Sequence, residues 1–270
     1  MHAIVITLKD LRLLMRDRRA LIVLLALPLV LISVIGISGK ELVSRRDQNT
    51  TPTEVSPSKL TQGSEDPSRV YRAIVPGFTV LFVFFLVNIM GRSFIQERDL
   101  GTLLRLRVAP VSTASIMVGK TLPFLLISIV QTVLLLVSGV LIFGMDPGNR
   151  PWLFAPLVVS TSLAATTMGL AFAALARTDA QVSAWGNLLV LTTGGISGCL
   201  IPRHLTPEFL QQISLITPHA WSLTASREIL AAEVPNTLTV LSSCGVLLCF
   251  SSVFGMAGLI GFRHQPASSI

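Results

Sequence analysis

Charge is what this sequence has least of. Asp, Glu, Lys and Arg make up 13% of its 270 residues, against about 25% in ordinary soluble domains. Hydrophobic residues make up 51%, and the mean hydropathy is +0.71. A soluble chain this poor in charge has no means of covering its surface, so the class is integral membrane protein. Cysteine is scarce too: Cys199, Cys244 and Cys249 lie in apolar segments without CxxC spacing. That excludes a disulfide framework and a zinc site and leaves small core residues. The sequence holds no HExxH motif and no acid pair deep in an apolar run, which argues against an intramembrane enzyme. It also has no acid or base at the centre of any apolar run. Ion-coupled carriers place ionisable groups near the bilayer midplane, so a secondary transporter of a hydrophobic small molecule is the alternative reading, and energy is expected from outside the bilayer instead.

What is present is a series of long apolar runs. Six are long enough to cross a core of about 30 Å at ~1.5 Å per residue. They lie near 20–38, 73–92, 117–144, 152–176, 182–201 and 237–262. The expectation is an all-α, single transmembrane domain over 1–270, with Pro28, Pro76, Pro123 and Pro156 tolerated where neighbouring helices satisfy the freed carbonyls. Mid-span Asn88, Gln131 and Asn187 are expected to hydrogen-bond between helices. Ahead of the first run, residues 3–19 form an amphipathic helix. Ile4, Leu8, Leu11 and Met15 make an apolar stripe beside a basic face of Lys9, Arg12, Arg16 and Arg19. This pattern suits a helix lying in the headgroup layer against membrane lipid, and it does not read as a secretory signal. Segment 39–72, rich in Ser, Thr, Pro and Gln, reads as a solvated external loop. Segment 202–236 mixes Phe209, Ile213 and Trp221 with Pro202, Pro207 and Pro218. It is too interrupted to span and too apolar to float free, so it reads as a re-entrant helical stretch. His219 within it is expected to hydrogen-bond locally.

The net charge is +7. With the N-terminus inside, twelve basic and five acidic residues fall on the inner face and nine of each on the outer, so the whole excess lies on one side. Both termini are therefore expected in the cytoplasm, and the basic residues sit at the ends of runs as topology signals, not as a nucleic-acid surface.

One charged island interrupts the apolar pattern, between the second and third runs at 93–116. Glu97, Arg98 and Asp99 precede Gly101-Thr102, and Leu103, Leu104 and Leu106 alternate with Arg105 and Arg107 up to Pro110. Gly101 permits a sharp turn, Thr102 is expected to N-cap a short helix, and Pro110 ends it. The leucines would face a partner or the bilayer. Further on, 114–121 loosely matches a phosphate-binding loop, yet it holds a single glycine and leads into an apolar run, so nucleotide binding is not expected. Lys120 reads as an interfacial anchor reaching the headgroups.

Taken together these features resemble the type 2 ABC transporter permease family. The resemblance covers essentially the whole chain: the amphipathic start, six spans, the acidic-then-Gly-Thr segment with its Pro110-Val111-Ser112 turn, Gly119-Lys120 at the third span, and Pro202, Pro207, Pro218, Trp221 and Arg227-Glu228 after the fifth. It implies a bacterial inner-membrane exporter subunit that pairs with a second permease copy or a homologous permease and with two copies of a cytoplasmic ABC ATPase. ATP and Mg would be bound by that ATPase and not by this chain. By resemblance, Glu97, Arg98, Asp99, Gly101, Thr102, Leu103, Arg105, Leu106 and Pro110 form the coupling helix that sits in the ATPase, and the N-terminal helix adds a second contact. Relatives often carry an acid just after Gly-Thr-Leu, where this sequence has Leu104.

Overall fold

The computed structural model describes residues 2–16, 18–49, 67–108, 111–200, 206–231 and 234–264. Pro110 and Pro202 lie outside the described residues, as do the side chains of Arg19, Leu104 and Leu106. Among the described residues the architecture is entirely helical. The order is α1 (His2–Arg16), α2 (Arg18–Asn49), α3 (Pro67–Phe84), α4 (Leu86–Asp99), α5 (Thr102–Val108), α6 (Thr113–Leu141), α7 (Phe154–Leu175), α8 (Asp179–Ser197), α9 (Glu208–Ser214), α10 (Pro218–Ala231) and α11 (Thr237–His264).

Helix ends follow local chemistry. The Ser112 hydroxyl accepts from the Ser115 N–H at the start of α6, and Thr178 does the same for Gln181 N–H at the start of α8. Pro218 opens α10, where its missing N–H costs nothing. The polar stretch after Ser38 stays helical to Asn49, and α3 already begins at Pro67, so the linker expected over 39–72 is shorter than its composition suggests. Lys40, Glu41 and Arg45 are good helix formers and prolong the turn they inherit.

Four helical rods are long and apolar enough to cross a membrane: Ile74–Asp99, Thr113–Leu141, Pro151–Leu175 and Thr237–Arg263. The other two expected spans differ. In α2 the stretch Leu24–Ser38 is an apolar helix over the residues whose side chains are described, and α8 dilutes its apolar residues with Asn187, Thr192, Thr193 and three glycines. At the centre stands α7, whose small residues let its neighbours approach closely: α11 runs along it, α4 and α6 flank it, and α10 crosses it. A Cβ on Gly258 of α11 would lie 2.8 Å from Leu170 Cγ and 3.1 Å from the backbone nitrogen of Ala171, so that contact needs glycine. Val83, Phe84, Ala164, Ala165, Leu223 and Leu247 share the main core.

Mid-span polar residues behave unequally. Gln131 Nε2 donates to the carbonyls of Leu24 (3.1 Å) and Phe82 (3.3 Å), bridging α6 to α2 and α3 as expected. The Leu24 carbonyl is the one that Pro28 deprives of its helical donor, and Phe82 lies just before the break at Phe85. Asn88 makes no such bond: both its amide atoms lack a partner, and its oxygen fills the space over Gly186 of α8. Asn187 is exposed.

Candidate functional site

The charged island folds as two helices meeting at a tight turn. At the end of α4, the Gly101 N–H donates to the Arg98 carbonyl (2.9 Å), and Gly101 takes φ +66°, the left-handed conformation that glycine adopts freely. Thr102 is then the first residue of α5, so it does not cap that helix. Its hydroxyl turns back and donates to the Glu97 carbonyl (3.0 Å), closing the end of α4. Leu103 is buried with Ile6, Phe94, Ile116 and Phe124 and does not face a partner. What remains outside is Gln96, Asp99, Leu100, Arg105 and Val108, with Leu100 72% and Val108 81% exposed.

Beneath this turn lies a cluster of charges that the sequence did not suggest. Lys120, expected at the headgroups, is buried: its side chain is 3% exposed. Its ammonium sits 3.2 Å from Asp10 Oδ2, contacts Glu97 Oε2, and stands 5.8 Å from the Phe94 ring centroid. Asp10 and Glu97 side chains are 9% and 12% exposed. Lys9, more exposed, lies 3.8 Å from Asp10 Oδ1. Glu97 therefore points inward and not toward water. Six apolar runs free of buried ions is also not what the fold contains, since α6 carries Lys120 into the bundle near its start. Such a cluster holds only because each charge has an opposite neighbour; one charge left alone there is costly.

Through this cluster α1, α4 and α6 are joined. On α1, Ile6, Thr7 and Asp10 face α6, while Lys9, Arg12 and Arg16 are exposed, as is Leu8 of the apolar stripe. The helix thus has a protein-facing side beyond the two faces its periodicity suggests. On the opposite flank of α4, Arg92 Nη2 donates to Ser183 Oγ (2.6 Å) and lies 3.6 Å from Asp179, and Arg98 Nη2 donates to the Arg177 carbonyl. The α5 end is consequently tied to the α7–α8 turn as well.

Farther from it, the residues singled out in 206–231 act as ties. Pro207 precedes α9 and Pro218 opens α10. Trp221 Nε1 donates to the Leu215 carbonyl (2.8 Å), Arg227 to the Gly198 carbonyl at the end of α8 (3.0 Å), and Glu228 accepts from the Asn236 N–H before α11 (2.9 Å). His219 makes no local hydrogen bond; it is fully buried and stacks on Phe84 with centroids 3.8 Å apart. Burial lowers its pKa, which keeps the ring neutral. Between α6 and α7 an apolar groove of about 510 Å³ opens, lined by Val133, Val137, Val140, Met145, Phe154 and Val158.

Asp10 and Thr7 were missed by sequence reasoning, and Lys120 was misassigned. The available signals were an acid on the flank of an apolar stripe and a lysine carried several residues into an apolar run.

The sequence profile of the ABC-2 type transporter family matches residues 2–231. The chain is similar to the linearmycin resistance permease protein LnrN of Bacillus subtilis, 33% identical over 83% of this chain and 58% of that protein. It is also similar to the probable multidrug ABC transporter permease YbhR of Escherichia coli, 25% identical over 71% of this chain and 52% of that one. The inner membrane transport permease YhhJ of Escherichia coli is 29% identical over 58% of this chain and 41% of its own. The chain spans about half the length of these relatives. With a family match over most of its length and apolar helices of membrane-crossing size, this chain is a multi-pass integral membrane protein and belongs to the ABC-2 type transporter family.

Proposed function

We propose that the chain is the membrane-spanning permease subunit of an ATP-driven ABC exporter in a bacterial inner membrane, with six spans, both termini cytoplasmic and 202–236 re-entrant from the outer side. The exposed rim of the α4–α5 turn, with the basic face of α1 beside it, docks on a separate cytoplasmic ATPase present in two copies, which binds ATP and Mg. A second permease copy or a homologous permease covers the exposed side of α8. Asn187 supports this, because a carboxamide turned toward lipid needs a partner. The cargo is amphipathic or lipid-like, in keeping with the wholly apolar groove between α6 and α7.

The observation that carries the reading is the division of labour in the α4–α5 turn. Leu103 and Glu97 lock it into the bundle, while Leu100 and Val108, two large apolar side chains, are left in the open beside Asp99 and Arg105. Exposed apolar residues rimmed by charge mark an interaction surface. An ion-coupled carrier would need its ionisable cluster at mid-depth, whereas this one lies at the α5 end.

The test is co-purification with a candidate ABC ATPase, followed by cargo-stimulated ATP hydrolysis in nanodiscs. Leu100→Glu together with Val108→Glu is expected to weaken ATPase capture about thirtyfold, the loss of one interface anchor, with membrane insertion unchanged. Capture and export at full level by this variant would contradict the reading.

A further inference from the structure

Proline 123 sits inside α6 and has no N–H to give to the carbonyl four residues earlier, that of Gly119. Such a carbonyl, buried in a membrane bundle, needs a donor from elsewhere. The structure supplies one from a different helix: Thr7 Oγ1 of α1 donates to Gly119 O at 3.0 Å, a fully buried bond. One turn along the same face of α1, Asp10 meets Lys120, the neighbour of Gly119. The same device recurs where Pro28 frees the Leu24 carbonyl and Gln131 serves it.

We infer that Thr7 is a positioning residue that keys the N-terminal helix to α6 through the carbonyl freed by Pro123. An ion pair tolerates a range of approach angles, whereas a hydroxyl on a single carbonyl is directional. The Thr7 bond sets how α1 is rotated on α6. Asp10 then faces Lys120, and Lys9, Arg12 and Arg16 face outward. Pro123 is thereby part of the docking site for α1, and its role reaches beyond bending α6. The consequence for transport rests on the coupling reading above; the docking itself does not.

The experiment is amide hydrogen exchange over residues 6–14 in the full chain held in nanodiscs. Thr7→Val keeps shape and removes the donor, and is expected to speed exchange there about tenfold, as for one lost buried hydrogen bond. Thr7→Ser is expected to keep the native rate. In a Pro123→Ala background residue 123 regains an N–H for Gly119, so Thr7→Val is expected to change exchange less than about twofold. The inference is overturned if Thr7→Val leaves the rate unchanged. It is equally overturned if its effect is the same in both backgrounds, since the threonine would then matter only for packing. Export by the permease–ATPase complex is read separately. Faster exchange with unimpaired export keeps the docking and defeats the coupling reading, whereas unchanged exchange with lost export defeats the docking alone.

Discussion

The two ends of the bundle solve the same problem with different chemistry. Around α10, buried polar groups are neutral or half-buried and meet hydroxyls and carbonyls: Thr161 bonds Ser222 at 2.8 Å, Arg227 reaches the Gly198 carbonyl, and His219 stacks uncharged on Phe84. Among the described residues an ion pair at that end, Arg72 with Asp146, lies at the rim, with the Asp146 side chain exposed. Around α5, by contrast, Lys120, Asp10 and Glu97 meet as charges inside the protein. Burying ions stabilises little compared with apolar packing, but it penalises every arrangement in which a partner is lost. Such a cluster suits a place where three helices must keep one relative position. Neutral bonds suffice where packing alone is at stake.

That contrast can be broken in order of expected effect. Lys120→Met leaves two buried carboxylates facing each other and is expected to destabilise the chain by about 3–5 kcal/mol, read by SDS-titrated unfolding in bicelles. Adding Asp10→Leu and Glu97→Gln should recover most of that loss, because the charges then disappear together. Gln131→Leu strands the Leu24 carbonyl in a neutral region and is expected to cost about 2 kcal/mol. The cost should shrink in a Pro28→Ala background, where residue 28 regains its N–H. Gly101→Ala is the mildest of the three. No atom lies within 4 Å of the added Cβ, so only the left-handed backbone resists it, at about 1 kcal/mol.

Much of this was legible before any coordinates, and the exceptions share a cause. The helices, the Gly101 turn, the short α5 and the bridging role of Gln131 all follow from local pattern or from the demand that proline-freed carbonyls be met. Gly101 needs no knowledge of its neighbours to explain its conformation. Lys120 does. Whether a lysine near the end of an apolar run rises to the headgroups or turns inward depends on what stands opposite, and Asp10 lies 110 residues away in the chain. Thr102 was misread for a related reason. Its hydroxyl can serve the helix ahead or the one behind, and the turn at Gly101 brings the Glu97 carbonyl within reach first. Asn88 promised a hydrogen bond by type, yet the glycine opposite, Gly186, offers it room and no donor.

If the Lys120 cluster makes α1, the α4–α5 turn and the start of α6 one body, a distance between spin labels at Arg12 and Arg105, both exposed, reports on it directly. In nanodiscs, and in the complex with the proposed ATPase with and without ATP, that distance should stay single and narrow, and it should broaden in Lys120→Met. A wild-type distance that shifts with nucleotide, or a Lys120→Met distance as narrow as the wild type, would contradict the account.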